Sequence, residues 1–326
     1  MKSRFLRSTI RIVFVLAVSI LLLWLVIARP LLITNKNESH RSLINQNDLK
    51  ETVIFLSEKV LPRDSQHPEN LDIAAEFIKQ KLSMSSASAI FQSYAVNGNN
   101  YKNVIASFGP DTKEVIVIGA HYDAFSTHAA ADDNASGVAG LIELGKLLGK
   151  VQLKHRILLV AYTLEEPPYY ATEHMGSFIH AASLKDNKVR LMISLEMIGF
   201  FTDSPGSQSF PMPLLSLFYP DSGDFIAVVD SFLSNEAAPL KASINKYTDV
   251  QAYSINAPRW VLGIDYSDHR SYWSHGYPAI MVTDTSFYRN HQYHQEQDTY
   301  ERLNYKKMAE VVYGVFQYIQ VLDAKE

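Results

Sequence analysis

The chain has 326 residues, 47% of them hydrophobic and 20% charged, which is ample for one large core or two small ones. A formal charge of -4 gives no basic bias toward nucleic acid. There is no cysteine, which excludes disulfides, thiolate metal sites and a cysteine nucleophile, so any metal must rest on His, Asp and Glu.

Lys2, Arg4, Arg7 and Arg11 precede an uncharged run over residues 12–28, IVFVLAVSILLLWLVIA. Its length is at the lower limit for a spanning helix. A cleaved signal peptide is the competing reading, with Val26 and Ala28 as a weak cleavage pattern. The run is long for a signal core, and Trp24 suits a membrane interface, so residues 1–33 read as a retained anchor. The basic flank places the amino terminus in the cytoplasm and the rest of the chain outside it, in the periplasm or the extracellular space. Cleavage would make the same part secreted. Residues 34–47 are polar and aperiodic and read as a linker. The folded part is expected over 48–326.

Asp48 and Glu51 have capping-box spacing, and Leu49, Val53, Leu56 and Val60 share a helical face that ends at Pro62. Leu71, Ala74, Ala75, Ile78 and Leu82 mark a second helix. Residues 89–97 and 101–108 read as two strands joined by an Asn/Gly turn. Then comes the stretch 114–137, EVIVIGAHYDAFSTHAAADDNASG. Its β-branched run reads as a strand buried on both faces. A helix is expected over 134–149, with Glu143, Lys146 and Lys150 on its wet face. RILLVAYT (156–163) is another apolar strand, followed by a helix near 175–184 and the strand VRLMISLE. From Phe200 to Tyr253 the pattern weakens to a loop, a strand at DFIAVV and a helix after it. A short helix over 268–276, the core strand PAIMVTD and a last helix capped by Asn304 complete the chain. This alternation predicts one α/β domain: a predominantly parallel or mixed central sheet with helices on both faces, preceded by one amino-terminal transmembrane helix.

Three apolar strands in succession deliver polar groups at their carboxyl ends, where ligands bind in open α/β sheets. The first ends on His121 with Asp123 two residues on, where a carboxylate can orient the imidazole. Asp132 and Asp133 stand before a helix; one of the two could serve only as a helix cap. The second strand ends on Glu165 and Glu166, two carboxylates that repel unless a cation or proton lies between them. Glu196 ends the third. His294 follows the PAIMVTD strand in YHQEQDTY. Imidazoles and carboxylates in this company point to a metal site.

The order HYD, ADDNASG, EE, LEMIG, SDH, YHQEQDT resembles the M28 family of co-catalytic zinc peptidases, mainly aminopeptidases, in a membrane-anchored, bacterial-type form. The resemblance covers roughly residues 50–326. It implies a zinc-dependent exopeptidase-like fold and two Zn2+ per chain. By the resemblance, His121 and Glu196 hold one zinc, Glu166 and His294 the other, and Asp132 bridges both. Glu165 is the general base, Asp123 orients His121, and Asp268 supports the site. The family usually has Asp where this chain has Glu196. The implied reaction is hydrolysis of the first peptide bond at peptide or protein amino termini, with no nucleic-acid partner. Two other readings compete: a glutaminyl-cyclase-like enzyme with a single zinc, and a receptor or adhesion module without catalysis. The second requires missing ligands, and all five positions are filled.

Overall fold

β3 (Glu114–His121) is buried along its whole length after Glu114, and the sheet grows from it in both directions. The computed structural model describes residues 2–30, 43–85 and 88–325. The linker expected over 34–47 therefore lies, as far as residue 42, outside the described residues. Alternate β3 side chains are covered from opposite sides. Ile116, Ile118 and Ala120 pack with α4 (Gly137–Leu148) and α8 (Tyr305–Ala324). Val115 and Val117 pack on the other face with α5 (Gly176–Ser183) and α7 (His269–Ser274). That two-sided cover is why the run is β-branched rather than alternating.

The remaining strands are β1 (Ser88–Val96), β2 (Asn99–Phe108), β4 (Arg156–Tyr162), β5 (Lys188–Glu196), β6 (Phe225–Ser231), β7 (Gln251–Ala257) and β8 (Ala279–Thr283). They form one eight-stranded sheet in the order β1-β2-β4-β3-β5-β8-β6-β7. β4, β3, β5 and β8 are parallel. The β1–β2 hairpin runs against β4 on one side, and β6 runs against β8 on the other. The sheet is thus mixed with a parallel centre, as the alternating pattern predicts. From β3 the chain crosses through α4 to β4, and from β4 through α5 to β5 on the far side of β3. Strand order reverses there, so a crevice opens beyond the end of β3.

Most expected elements appear. α3 (Pro68–Ser83) carries the stripe from Leu71 to Leu82, and Asn304 caps α8 by accepting from the Lys307 N–H at 3.1 Å. The hairpin turn places Asn97 and Gly98 at φ 51 and 87, the left-handed pair a tight β-turn needs. Three expectations change. α2 (Gln46–Ile54) is capped by Asn45, which accepts from the Asn47 N–H, while Asp48 pairs with Lys146 at 2.6 Å. α4 begins at Gly137, because Asp133 (φ -104, ψ 89) and Asn134 (φ -131, ψ 41) are not helical. A Cβ on Gly137 would stand 2.4 Å from Asn134 Oδ1 and 2.5 Å from the Leu195 carbonyl oxygen. Glu143 is not on a wet face: α2 packs over α4, and Glu143 is buried against Lys146.

The weakly patterned stretch after Phe200 holds β6, α6 (Ala237–Tyr247), β7 and a short 3₁₀ turn, Pro213–Leu217. β7 is the last strand of the sheet, and the end of α1 (Lys2–Ala28) packs on it. The Ala28 carbonyl accepts from Lys241 Nζ at 2.8 Å and from Ser254 Oγ at 3.0 Å, and Lys241 also reaches the Arg29 carbonyl. These donors serve carbonyls that a helix end leaves open. Burial lowers the Lys241 pKa to about 8. Within α1, Leu6–Ala28 is long and apolar enough to cross a membrane, a property shared by signal anchors and signal peptides.

Candidate metal centre

The end of β3 is fixed from beneath. Arg63, fully buried, donates to the Tyr122 carbonyl at 2.7 Å, to the Ala130 carbonyl at 3.2 Å and to the Leu56 carbonyl. His121 Nδ1 lies 3.1 Å from the Asp123 carbonyl oxygen and 3.5 Å from its carboxylate. A ring that donates there leaves Nε2 free to act as a ligand. The Asp123 carboxylate itself accepts from the Glu165 and Glu166 N–H groups, at 3.2 and 3.0 Å. Asp123 thus ties the end of β3 to the paired glutamates that follow β4, besides touching His121.

Loop 130–136 is held from the carboxyl-terminal part of the chain. The Asp298 carboxylate accepts from the Asp132 and Asp133 N–H groups, both at 3.1 Å to Oδ2. Asp132 turns inward: Oδ1 accepts from the Gly199 N–H at 3.0 Å, and Oδ2 from Asn290 Nδ2 at 3.1 Å. Both oxygens are occupied, and neither faces the imidazoles. Asp133, in its non-helical conformation, points the other way. Its Oδ1 is 3.3 Å from His121 Nε2, and its Oδ2 is 3.2 Å from His294 Nε2. It is therefore Asp133, and not the expected Asp132, that stands between the two imidazoles. The break to non-helical torsions at Asp133 turns its side chain away from that of Asp132, so only one of the pair faces the crevice.

Two donor groups result. His121, Asp133 and Glu196 form one, and Asp133, Glu166 and His294 the other. Glu196 Oε2 is 3.4 Å from His121 Nε2, and Glu166 Oε2 is 3.2 Å from His294 Nε2. A tetrahedral zinc with bonds of about 2.0–2.1 Å has donor–donor edges of about 3.3 Å, so these separations fit that ion. Glu166 Oε1 is buried and has no hydrogen-bond partner among the described residues, as expected of an oxygen reserved for a cation. Glu196 is one methylene longer than the family's usual Asp, and Ser267 Oγ steadies it with a 2.7 Å hydrogen bond to Oε2. His294 is clamped between the rings of Phe125 and Tyr293, with centroids at 4.1 and 3.8 Å.

Glu165 lines the same cavity but belongs to neither group. Burial raises its pKa well above the usual carboxylate value; positive charge on His121 opposes that, and Glu166 and Glu196 add to it. Burial also pushes Glu166 to about 7, with the Asp133 charge contributing. Burial alone would lower the His294 pKa, but Asp133 and Glu166 overcome it and push it up to about 10. In the metal-free fold, this raised imidazolium contributes stability that is complete below 6.5 and lost as pH rises through about 10. A ligating nitrogen must shed that proton. Zinc affinity should therefore rise between pH 6 and 9, by about tenfold per unit for each proton displaced. Competition against a chromophoric chelator across that range measures it; a flat profile would contradict the assignment of His294.

Asp268 is buried at the start of α7, and burial pushes its pKa to about 7. The neighbour that touches a candidate ligand is Ser267. His269 is structural, bonded through Nε2 to the Ile264 carbonyl at 2.8 Å. Ser267, Asn290, Asp298 and Arg63 are the participants that sequence reasoning did not single out, and Asp133 was named only beside Asp132. Asp133 and Asp298 lie inside the motifs ADDNASG and YHQEQDT, so a signal was present. Asn290, Ser267 and Arg63 carry none. Beyond the carboxylates, a cavity of about 330 Å³ is lined by Phe210, Tyr253, Tyr266, Phe287, Tyr288 and Tyr293, among others. Tyr272 and Trp273, nearby in sequence, belong to the core.

Known proteins resemble this chain in sequence or in fold. The chain is 48% identical over 276 residues to the uncharacterized protein YfbL of Escherichia coli K12, covering 82% of this chain and 85% of that one. Among solved structures, LapB of Legionella pneumophila matches with a TM-score of 0.67 at 20% identity, over 87% of this chain and 73% of that one. BSAP, a zinc aminopeptidase from Bacillus subtilis, matches with a TM-score of 0.68 at 13% identity, over 88% and 97%. A glutaminyl cyclase from Porphyromonas gingivalis matches with a TM-score of 0.63 at 17% identity, over 86% and 100%. At such identities these structures share the fold. The model of peptidase family M28 matches residues 103–319, two-thirds of the sequence, with all the candidate ligands inside that span. The chain therefore belongs to peptidase family M28.

Proposed function

We propose that this peptidase is an aminopeptidase that works with two zinc ions and uses Glu165 as its general base. The observation that carries the proposal is Asp133, whose two carboxylate oxygens each face a separate imidazole–carboxylate pair. His121, Asp133 and Glu196 would hold one ion; Asp133, Glu166 and His294 would hold the other. When bound, such ions would supply Lewis acidity toward the scissile carbonyl and the attacking water, and would offset the burial and carboxylate repulsion that raise the Glu165 pKa. Glu165 then accepts the water proton at its carboxylate and returns it to the leaving amine. Asp123 keeps the Glu165 backbone in register with β3 through the hydrogen bond to its N–H. The aromatic and aliphatic wall receives the amino-terminal side chain and excludes water from it. We further propose that α1 is a retained anchor and that residues 48–326 are the catalytic unit on the outer side of the membrane.

A panel of aminoacyl-anilides and short peptides, with and without chelator, tests this reading. Hydrolysis abolished by chelation, restored by zinc and accompanied by two zinc per chain is the expected result. The cyclase reading draws on the shared fold. Cyclisation of an amino-terminal Gln peptide, one zinc per chain and no hydrolysis of any free-amine substrate would reverse the order of the two.

A further inference from the structure

One wall of the cavity also faces outward. Residues 209–219, SFPMPLLSLFY, contain no charged side chain. Phe210, Pro211, Leu215 and Tyr219 line the cavity that reaches Asp133, Glu165 and His294. Leu214 and Leu217, in the 3₁₀ turn Pro213–Leu217, turn the other way, and Leu217 is 71% exposed. Exposed leucines in a turn that also builds a cavity wall mark an interaction surface.

The position of α1 says what covers it. The Phe218 ring stacks on Trp24, centroids 6.3 Å apart. Trp24 lies four residues before the end of the apolar span at Ala28, or about 6 Å along the axis at 1.5 Å per residue. The helix end is fastened: Lys241 and Ser254 hold the Ala28 carbonyl, and Arg29 Nη2 donates to the Ser234 carbonyl at 3.4 Å. A span seated in a bilayer therefore brings Phe218 and its turn to the depth of Trp24. Aromatic and aliphatic side chains are favoured at that depth.

We infer that Leu214, Leu217 and Phe218 form a second membrane contact beside α1, inserted at the interface, which holds the apolar wall of the cavity against lipid. The inference rests on the retained-anchor reading. The substrate class it selects is peptides whose amino-terminal segment already lies at the membrane surface. Such chains reach the cavity along the lipid, where two-point attachment raises their effective concentration.

The chain has no cysteine, so single introduced cysteines carry spin labels without background. Labels at Leu217→Cys, Val18→Cys and Met84→Cys would be compared in the full-length protein, in vesicles of phosphatidylethanolamine and phosphatidylglycerol. The expected result is that positions 217 and 18 favour oxygen, which partitions into lipid, while position 84 favours a water-soluble nickel chelate. A nickel-accessible label at 217 with position 18 in lipid overturns the inference and leaves the anchor intact. A label at 217 shielded from both relaxers shows a second copy or another protein on the surface, and also overturns it. A nickel-accessible label at 18 removes the anchor reading and the inference together. Accessibility is read without turnover, so failure of the proposed aminopeptidase activity would be seen separately. In a second arm, the double variant Leu214→Asp, Leu217→Asp should hydrolyse a soluble aminoacyl-anilide as before and lose roughly tenfold on a vesicle-tethered peptide. Equal effects on the two substrates would overturn the substrate class.

Discussion

Glu165→Gln should abolish most turnover while leaving metal content unchanged. Glutamine keeps the volume and the hydrogen-bonding shape of the side chain but cannot take a proton. Loss of a general base costs on the order of 10²–10⁴-fold, and the loss should fall on kcat rather than KM, since Glu165 stands outside both donor groups. Zinc measured by mass spectrometry should stay at the wild-type ratio. Retained turnover would remove Glu165 from the reaction. Lost zinc would make it a ligand instead.

The second large effect separates two adjacent aspartates. Asp133→Asn should weaken metal binding by more than about 100-fold, the upper end of the cost of losing even an indirect contact. The metal-free protein loses the Asp133 charge that helps to hold His294 protonated, so its melting temperature should also fall, most clearly below the His294 pKa of about 10. Asp132→Asn should lower the melting temperature and spare the metal. Its oxygens accept from Gly199 and Asn290, and an amide that turns its donor toward the neighbouring Asp284 carboxylate leaves the Asn290 donor without that acceptor. A buried unmet donor costs about 1–3 kcal/mol, so the melting temperature should fall while saturating zinc still restores both ions. Calorimetric melts with and without zinc distinguish the cases. A metal-poor Asp132→Asn beside a metal-replete Asp133→Asn would return the bridge to Asp132.

The fold was readable wherever packing is two-sided. β3, β4 and β5 declare themselves because both faces of their central residues are covered and those positions are nearly all apolar. α8 declares itself because one stripe is buried beneath Asn304 as cap. The region from Phe200 to Tyr253 was opaque for the opposite reason: the edge strand β7 is only partly buried, and the 3₁₀ turn at Pro213–Leu217 has too few residues for a period. At the site, residue types followed from the chemistry. Imidazoles and paired carboxylates at buried strand ends are costly to desolvate unless a cation or a proton compensates them. The choice between Asp132 and Asp133 depended on backbone torsions that composition does not encode. Ser267, Asn290 and Arg63 were hidden because their partners come from remote segments, and a common polar residue acquires its meaning only through that contact.

The grip of Asp298 on the Asp132–Asp133 backbone has a temporal side. A chain is made from its amino terminus, so His121, Glu166 and Glu196 exist long before Asp298 and His294 do. Until those last residues fold back, loop 130–136 lacks its fastening and one donor group lacks its imidazole. The unfinished chain therefore holds most of the donor residues before loop 130–136 is fastened, and the two donor groups are complete only once the carboxyl-terminal segment has folded back.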